Sequence, residues 1–286
     1  MKVTSRILAV IAVTLLYLPI TSRCEPPKTC SLASWNIRIL SDNSRTPEEL
    51  SRIAMILQNY DFIAIEEVRD LRVLDRLTQL CTNYSYIASP QVGGGVKEIY
   101  AFFYRKDIVQ PIGTACLLKD TSNYFIREPF IGTFKIGNFD FTICAIHLLF
   151  GDSAKTRRKE LVLMRKVVAA IQKANYKEDD VILVGDFNFP YNDVGWQMGD
   201  YIPLFTGKTT IGNKSAFDNM WINEKYTREF EGSTRIYKYD HDEYNDDINA
   251  AYKACSDHRP ISAKFYIDLL DDDINDYGNL QNIEVK

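Results

Sequence analysis

The apolar residues of this chain fall into short runs, and those at 31–37, 62–65, 101–104, 139–146, 181–184, 216–222 and 261–267 have the length and the β-branched or aromatic content of buried strands. Between them the apolar period changes to three and four. Pro47–Leu57 reads as a helix capped by Thr46, with Pro47 at the first helical position, and 153–174 reads as a second helix. Strands interleaved with helices imply an α/β sandwich. No repeat, low-complexity stretch or interdomain linker divides the chain, and Gly93-Gly94-Gly95 reads either as a flexible loop beside a site or as a long turn.

Composition narrows the class. With 286 residues and 46% hydrophobic content, the chain suits one large globular domain. Residues 1–22 place Lys2 and Arg6 before an apolar run at 7–20 and then Thr21 and Ser22, the layout of a secretory signal peptide. That run is short for a bilayer span, although an uncleaved anchor is the alternative, and Arg23 before Cys24 does not complete a lipoprotein signal. The expectation is a soluble, secreted or periplasmic monomer comprising residues 23–286, ending in an acidic tail from about residue 268 that holds Asp271, Asp272, Asp273 and Asp276. All six cysteines (Cys24, Cys30, Cys81, Cys116, Cys144 and Cys255) follow the signal, so an oxidising compartment would permit disulfides. Cys144 fits a buried free thiol as well as a bridge, and the absence of a Cys-x-x-Cys pair argues against structural zinc. Net charge is −4, becoming −6 without Lys2 and Arg6, so a polyanion has to be met by a local patch.

Polar residues at the strand ends carry the chemistry. Trp35-Asn36-Ile37-Arg38, Ile65-Glu66-Glu67-Val68-Arg69-Asp70, Ile146-His147, Gly185-Asp186-Phe187-Asn188, Phe217-Asp218-Asn219 and Ser256-Asp257-His258-Arg259-Pro260 all close or open an apolar run. Each has an ordinary reading: Asn36 as a turn former, Glu67 as a carboxylate at a helix start, Asp186 and Asn188 as a strand exit, His147 as a satisfied core imidazole. Together they outweigh those readings, because two of the three histidines stand at such ends beside acids, and ligands of layered α/β proteins gather at strand ends. Asn36, Glu67 and Asp257 offer hard oxygen ligands suited to Mg²⁺ or Mn²⁺, with Ca²⁺ as a further option. Two imidazoles can act as acid and base on either side of a phosphorus.

At these residues the sequence resembles deoxyribonuclease I and the wider endonuclease/exonuclease/phosphatase superfamily, from about Ser31 to Phe265. Lys97-Glu98 before the strand at 100–105 and Arg127-Glu128-Pro129 complete eight motifs in order. The resemblance implies a four-layered α/β sandwich of two packed, mainly antiparallel sheets flanked by helices, and cleavage of DNA as the activity. It further implies that Glu67 and Asn36, with Asp257 nearby, hold the metal, that Glu98 orients His147 and Asp218 orients His258, and that Asp186 and Asn188 position phosphate and water. His147 is assigned as acid and His258 as base, although Asp186 is also described as the base in related enzymes. Arg38, Arg69 and Arg127 match positions that meet DNA phosphates or the minor groove. The run Lys155, Arg157, Arg158 and Lys159 either extends that patch or is a solvated helix face.

Two departures limit the likeness. Val96 stands where the family usually packs a tyrosine into the minor groove, and Cys116 lacks the near partner of a small disulfide loop, so structural calcium sites do not carry over. The rival readings are a superfamily phosphoesterase acting on a lipid headgroup or inositol phosphate, a toxin-type nuclease subunit, and a degenerate fold kept for binding. No imidazole or metal carboxylate is lost, which speaks against the last.

Overall fold

All seven apolar runs form strands, and they do so in two sheets of six. The computed structural model describes residues 28–151, 154–174, 179–270 and 277–285. The expected signal segment, Cys24 and the four aspartates of the acidic tail lie outside the described residues. In chain order the elements are β1 (Thr29–Leu40), α1 (Pro47–Leu57), β2 (Phe62–Val68), α2 (Leu71–Leu80), β3 (Tyr84–Ala88), β4 (Ile99–Arg105), β5 (Val109–Leu117), β6 (Lys119–Asp120), β7 (Phe130–Ile136) and β8 (Phe139–His147). They continue with α3 (Ala154–Leu161), α4 (Met164–Ala174), β9 (Val181–Asp186), α5 (Tyr191–Met198), β10 (Ile202–Pro203), β11 (Asp218–Ile222), β12 (Phe230–Ile236), α6 (Tyr239–Asp242), α7 (Ile248–Ala254), β13 (Ile261–Tyr266) and β14 (Glu284–Val285).

The first sheet runs β12-β13-β1-β2-β4-β3 and the second β10-β11-β9-β8-β7-β5. Each is antiparallel except at its centre, where β1–β2 and β8–β9 are parallel. Parallel neighbours need a crossover, and α1 supplies it in the first sheet, α3 and α4 in the second. Apolar residues of the facing strands, Phe62, Phe102, Phe130, Phe134 and Phe141 among them, fill the layer between the sheets. A second cluster packs α1, α2 and α7 on the outer face of the first sheet, and a third packs α4 and α5 on the second. The architecture is therefore the expected four-layered sandwich. No helix among the described residues is long and apolar enough to cross a membrane.

The helix at Pro47–Leu57 has the expected bounds, and its cap is reciprocal: the Thr46 hydroxyl accepts from the Glu49 N–H while the Glu49 carboxylate accepts from the Thr46 N–H. The helix expected over 153–174 is instead two, α3 and α4, broken at Val162 and Leu163. Glu160 at the end of α3 explains the break. Its buried carboxylate accepts the Ile126 and Leu149 N–H groups at 2.7 and 2.6 Å, tying α3 to two loops while α4 turns Met164, Val167, Val168 and Ile171 into the third cluster. The disulfides expected from the cysteine count are absent among the described residues, where Cys30, Cys81, Cys116, Cys144 and Cys255 are all free thiols. Cys116 and Cys144 flank Ile131 from strands on either side, so two interstrand spacings of about 4.8 Å each keep them beyond disulfide reach.

Candidate active site

Strand register brings the polar ends together. His147 of β8 pairs with Asp186 of β9, and Asp186 pairs with Asp218 of β11, so three adjacent strands put these side chains in one row at one sheet edge. In the facing sheet β1 and β2 reach the same edge with Asn36 and Glu67, and His258 lies three residues before β13, which runs antiparallel to β1.

Both parallel strands break register there, between Asn36 and Leu40 and between Ile65 and Val68. Arg38, Ile39 and Glu67 take positive φ of 51°, 50° and 62°, and Asn188 takes 53°. Non-glycine residues in that region cost about 1–3 kcal/mol each and collect at functional sites. The break at Glu67 turns two successive glutamates to different uses. Glu66 is wholly buried between the sheets, where it accepts from the Ser34 hydroxyl at 3.1 Å, while Glu67 faces the cleft. At Gly185 a Cβ would lie 1.9 Å from the Ile146 carbonyl oxygen, so only glycine lets β9 run this close to β8.

Two carboxylate–imidazole dyads result, and each takes one member from each sheet. Glu98 Oε1 lies 2.7 Å from His147 Nδ1, and Asp218 Oδ2 lies 2.8 Å from His258 Nδ1. With Nδ1 occupied, both Nε2 atoms face the cleft and approach Asp186 Oδ2, at 3.8 Å from His147 and 3.6 Å from His258. Asn36 Nδ2 donates to that same oxygen and to Glu67 Oε1, each at 3.1 Å. Asn188 sends its N–H to Asp186 Oδ1 at 2.8 Å and its amide to the Leu148 carbonyl at 2.8 Å.

Burial alone would lower the His258 pKa, but the charges of Asp218 and Asp186 and the hydrogen bond to Asp218 overcome it and hold the imidazolium well above the usual histidine range. Burial pushes the Asp218 carboxyl upward as well, against the charge of His258 and the hydrogen bond to it. Burial pushes Glu98 upward, yet the His147 hydrogen bond, with Arg127 and Arg69 nearby, brings it below the usual carboxylate value. Burial, followed by repulsion from Asp218, pushes Glu66 well above the carboxylate range.

Asn36, Glu67 and Asp257 line one cleft of about 560 Å³ together with His147, His258, Asp186 and Asn188. Their oxygens are a donor set that fits a hard divalent cation. Asp186, Asp218 and His258 also bring ligand atoms within 4.8 Å of one another. A cation there would compete with the Asp218–His258 hydrogen bond, as one on the oxygen set would with the Arg38 and Ile39 N–H groups that Asn36 Oδ1 and Glu67 Oε2 accept at 3.0 Å.

The three arginines border residues of the cleft, and each donates to a backbone carbonyl. Arg127 donates from Nε to the His147 carbonyl and from Nη2 to the Leu148 carbonyl, each at 2.9 Å, with Glu98 Oε1 at 3.6 Å. Arg69 donates to the Lys97 carbonyl at 2.6 Å and lies 3.5 Å from Glu67. Arg38 donates to the Tyr252 carbonyl at 2.7 Å and stacks on the Tyr252 ring at 4.0 Å.

Four supporting residues carried no role in the sequence reading. The Tyr100 hydroxyl accepts the His147 N–H at 3.0 Å, and Trp35 Nε1 donates to the His258 carbonyl at 2.8 Å. Ser256 accepts the His258 N–H at 3.0 Å while donating to the Asn36 carbonyl at 2.6 Å. Thr209 accepts the Phe217 and Asp218 N–H groups, both at 3.1 Å. Ser256, two residues before His258, is the one whose spacing could have signalled it.

Comparison with known proteins bears on the family and the fold. Residues 33–258 match the Endonuclease/Exonuclease/phosphatase family. A deoxyribonuclease of Thioalkalivibrio sp. (strain K90mix) is 28% identical over 272 residues, 84% of this chain and 72% of that protein. Deoxyribonuclease-1-like 2 of Mus musculus is 25% identical over 272 residues, 82% of this chain and 91% of that protein. Deoxyribonuclease-1 of Oryctolagus cuniculus is 32% identical over 199 residues, 61% of this chain and 66% of that protein. Among solved structures, truncated Caenorhabditis elegans TDP2 superposes with a TM-score of 0.61 at 19% identity, covering 83% of this chain and 97% of that one. A mannosyl-6-phosphatase from Bacteroides thetaiotaomicron superposes with a TM-score of 0.56 at 17% identity, covering 82% and 98%. At these identities the structural likeness is one of fold.

Proposed function

The chain belongs to the endonuclease/exonuclease/phosphatase family of hydrolytic enzymes, and from that premise we propose that it is an exported, divalent-metal-dependent endonuclease that hydrolyses phosphodiester bonds of DNA. One observation carries the reading: two imidazoles, each oriented through Nδ1 by a carboxylate, turn their Nε2 atoms toward Asp186 in one cleft. That pair is built for transfer of two protons.

In the proposed reaction His258 Nε2 takes a proton from water, the water oxygen attacks phosphorus, the bond to the leaving sugar oxygen breaks, and His147 Nε2 returns a proton to that oxygen. Glu98 and Asp218 fix the tautomers and stabilise each imidazolium. Asp186 and Asn188 position the phosphate and the water. Asn36, Glu67 and Asp257 hold the cation. A cation held there would neutralise charge developing on the phosphoryl oxygens and would oppose the carboxylates around His258, leaving Nε2 free to accept a proton. Arg38, Arg69 and Arg127 are proposed to meet DNA phosphates with the guanidinium N–H groups not committed to backbone.

The deoxyribonuclease relatives support DNA as the substrate. A fold shared with a sugar phosphatase does not choose between substrates. The test is nicking of a supercoiled plasmid by protein recovered from the culture medium, with and without EDTA, beside choline-phosphate and inositol-phosphate substrates. Nicking should vanish in EDTA and return with Mg²⁺ or Mn²⁺, and the recovered chain should begin near Arg23 or Cys24. Full activity in chelator removes the metal assignment, hydrolysis of the small substrates without DNA cleavage transfers the chain to that branch of the family, and retention of Met1 removes export.

A further inference from the structure

The cleft lining is unbalanced for a protein that grips duplex backbone. Such grip comes from several Lys and Arg side chains on the phosphates. Among the described lining side chains Lys214 is the one lysine or arginine, whereas Phe150, Phe217, Ile211, Ile248 and Tyr252 are aromatic or apolar. The arginines expected to supply the charge each spend one or two of their N–H groups on backbone carbonyls.

Two of the lining aromatics are exposed, and both are held in place. Phe150 is 66% exposed on the segment that leaves β8 three residues after His147. The Leu149 N–H anchors that segment on buried Glu160 at 2.6 Å, and the Phe150 ring leans on Phe217 at 6.5 Å between centroids. Tyr252 of α7 is 45% exposed and carries the Arg38 guanidinium against its ring at 4.0 Å. Fixed aromatic rings beside a phosphate-cleaving centre suit stacking on bases, which tolerates any sequence because every base has a π-face. In an intact duplex those faces are covered by neighbouring base pairs, and exposing one requires flipping it out.

We propose that Phe150 and Tyr252 are stacking platforms for the bases next to the scissile phosphate, so that the preferred substrate is single-stranded DNA rather than an intact duplex. The inference rests on the endonuclease reading above and deepens it. It also fits the exposed Val96, which offers no ring to a minor groove.

The experiment uses oligonucleotides with one cleavable phosphodiester among phosphorothioates. That linkage lies between two bases in a single strand, between two bases in the matching duplex, or between two abasic sugars in a single strand. The wild type should cut the base-bearing single strand at least about 10-fold faster than the duplex. Phe150→Ala should lower kcat/KM on the base-bearing single strand by about 5- to 150-fold, the range one stacked base is worth, and the abasic strand should lose several-fold less. Phe150→Trp should restore most of the loss. A duplex cut as fast as the single strand, or an equal loss on base-bearing and abasic strands, overturns the proposal. If the wild type cuts no nucleic acid of any form, the endonuclease reading itself falls and this one with it.

Discussion

His147 and His258 share a design and differ in their setting. Each presents Nε2 to the cleft because a carboxylate holds Nδ1, yet His258 is ringed by Asp218, Asp186 and Asp257, while His147 has Arg127 behind its carboxylate. If both act in proton transfer, His147→Ala and His258→Ala should each lower kcat by about two to four orders of magnitude with KM nearly unchanged. Steady-state kinetics on plasmid or oligonucleotide checks this, and wild-type turnover in both variants would discard the mechanism. Arg127→Ala should lower kcat as well as DNA affinity, because its guanidinium fixes the carbonyl of His147 itself. A purely phosphate-binding arginine would change affinity and its salt dependence alone. The residues that line the cleft were legible in the sequence because a polar residue closing an apolar strand is conspicuous. The supports were not: Tyr100, Trp35 and Thr209 are ordinary core or loop residues in sequence, and their hydrogen bonds to the catalytic segments come from strands and loops far away in the chain. The arginines were found as residues, but their backbone partners depend on the exit geometry of β1, β2 and β8.

At the scale of elements, one wall of the cleft is tied together by a buried ion pair. Arg259 follows His258 and binds Asp240 of α6 through two hydrogen bonds of 2.7 Å, and it reaches Asn213 at 2.7 Å. Asp240 also accepts the Gly212 N–H at 3.2 Å, and Arg259 donates its own N–H to the Thr209 carbonyl at 2.7 Å. α6, the loop at 208–215 and the start of β13 are thereby joined, and that loop supplies Thr210, Ile211, Lys214 and Ser215 to the cleft. Removing one partner of a buried pair strands the other, so Asp240→Asn should lower stability by about 3–5 kcal/mol at neutral pH. Burial raises the Asp240 pKa, but the Arg259 hydrogen bond and charge and the Gly212 N–H outweigh it, leaving it below the usual value. A depressed carboxylate stabilises the fold fully above its unfolded pKa of about 3.9 and loses that contribution as pH falls through the native value. Urea midpoints of wild type and Asp240→Asn should therefore lie far apart at pH 7 and draw together below pH 4, and a constant gap would refute the assignment. This pair was invisible in the sequence, since Arg259 and Asp240 are 19 residues apart with no shared motif. The strands found in the sequence are those with near-continuous apolar runs. β3, β5 and β12 were missed because they are edge strands with mixed or polar composition, Pro111 and Gly113 interrupting β5. β7 was missed because Gly132 and Lys135 break its run. Yet a Cβ at Gly132 would meet Phe134, Ala115 and Phe102 at 3.0–3.1 Å, so packing between the sheets favours that glycine.

For the whole molecule, the decisive quantity is the spacing and registry of the two sheets. Glu98 and His258 come from the first sheet's side, His147 and Asp218 from the second, so both dyads span the sandwich, as does the Asn36–Asp186 hydrogen bond. The aromatic layer between the sheets sets that spacing: Phe62 lies edge-on to Phe134 at 4.7 Å and to Phe141 at 5.7 Å, and Phe102 stacks on Phe130 at 4.6 Å. Two substitutions in this layer should separate stability from catalysis. Phe134 lies opposite Phe141, six residues before His147 on β8 and so about 20 Å away along the strand. Phe134→Ala leaves a cavity costing about 3–5 kcal/mol, yet the edge that carries the dyads should stay in register. Tyr100→Phe opens no comparable cavity and removes the acceptor of the His147 N–H, a loss of about 1–3 kcal/mol for a buried donor left unpaired. Chemical denaturation paired with single-turnover cleavage well below the unfolding temperature should find Phe134→Ala the less stable protein but the faster enzyme. The reverse order would mean that the spacing of the sheets, more than the local hold on His147, sets the geometry of proton transfer.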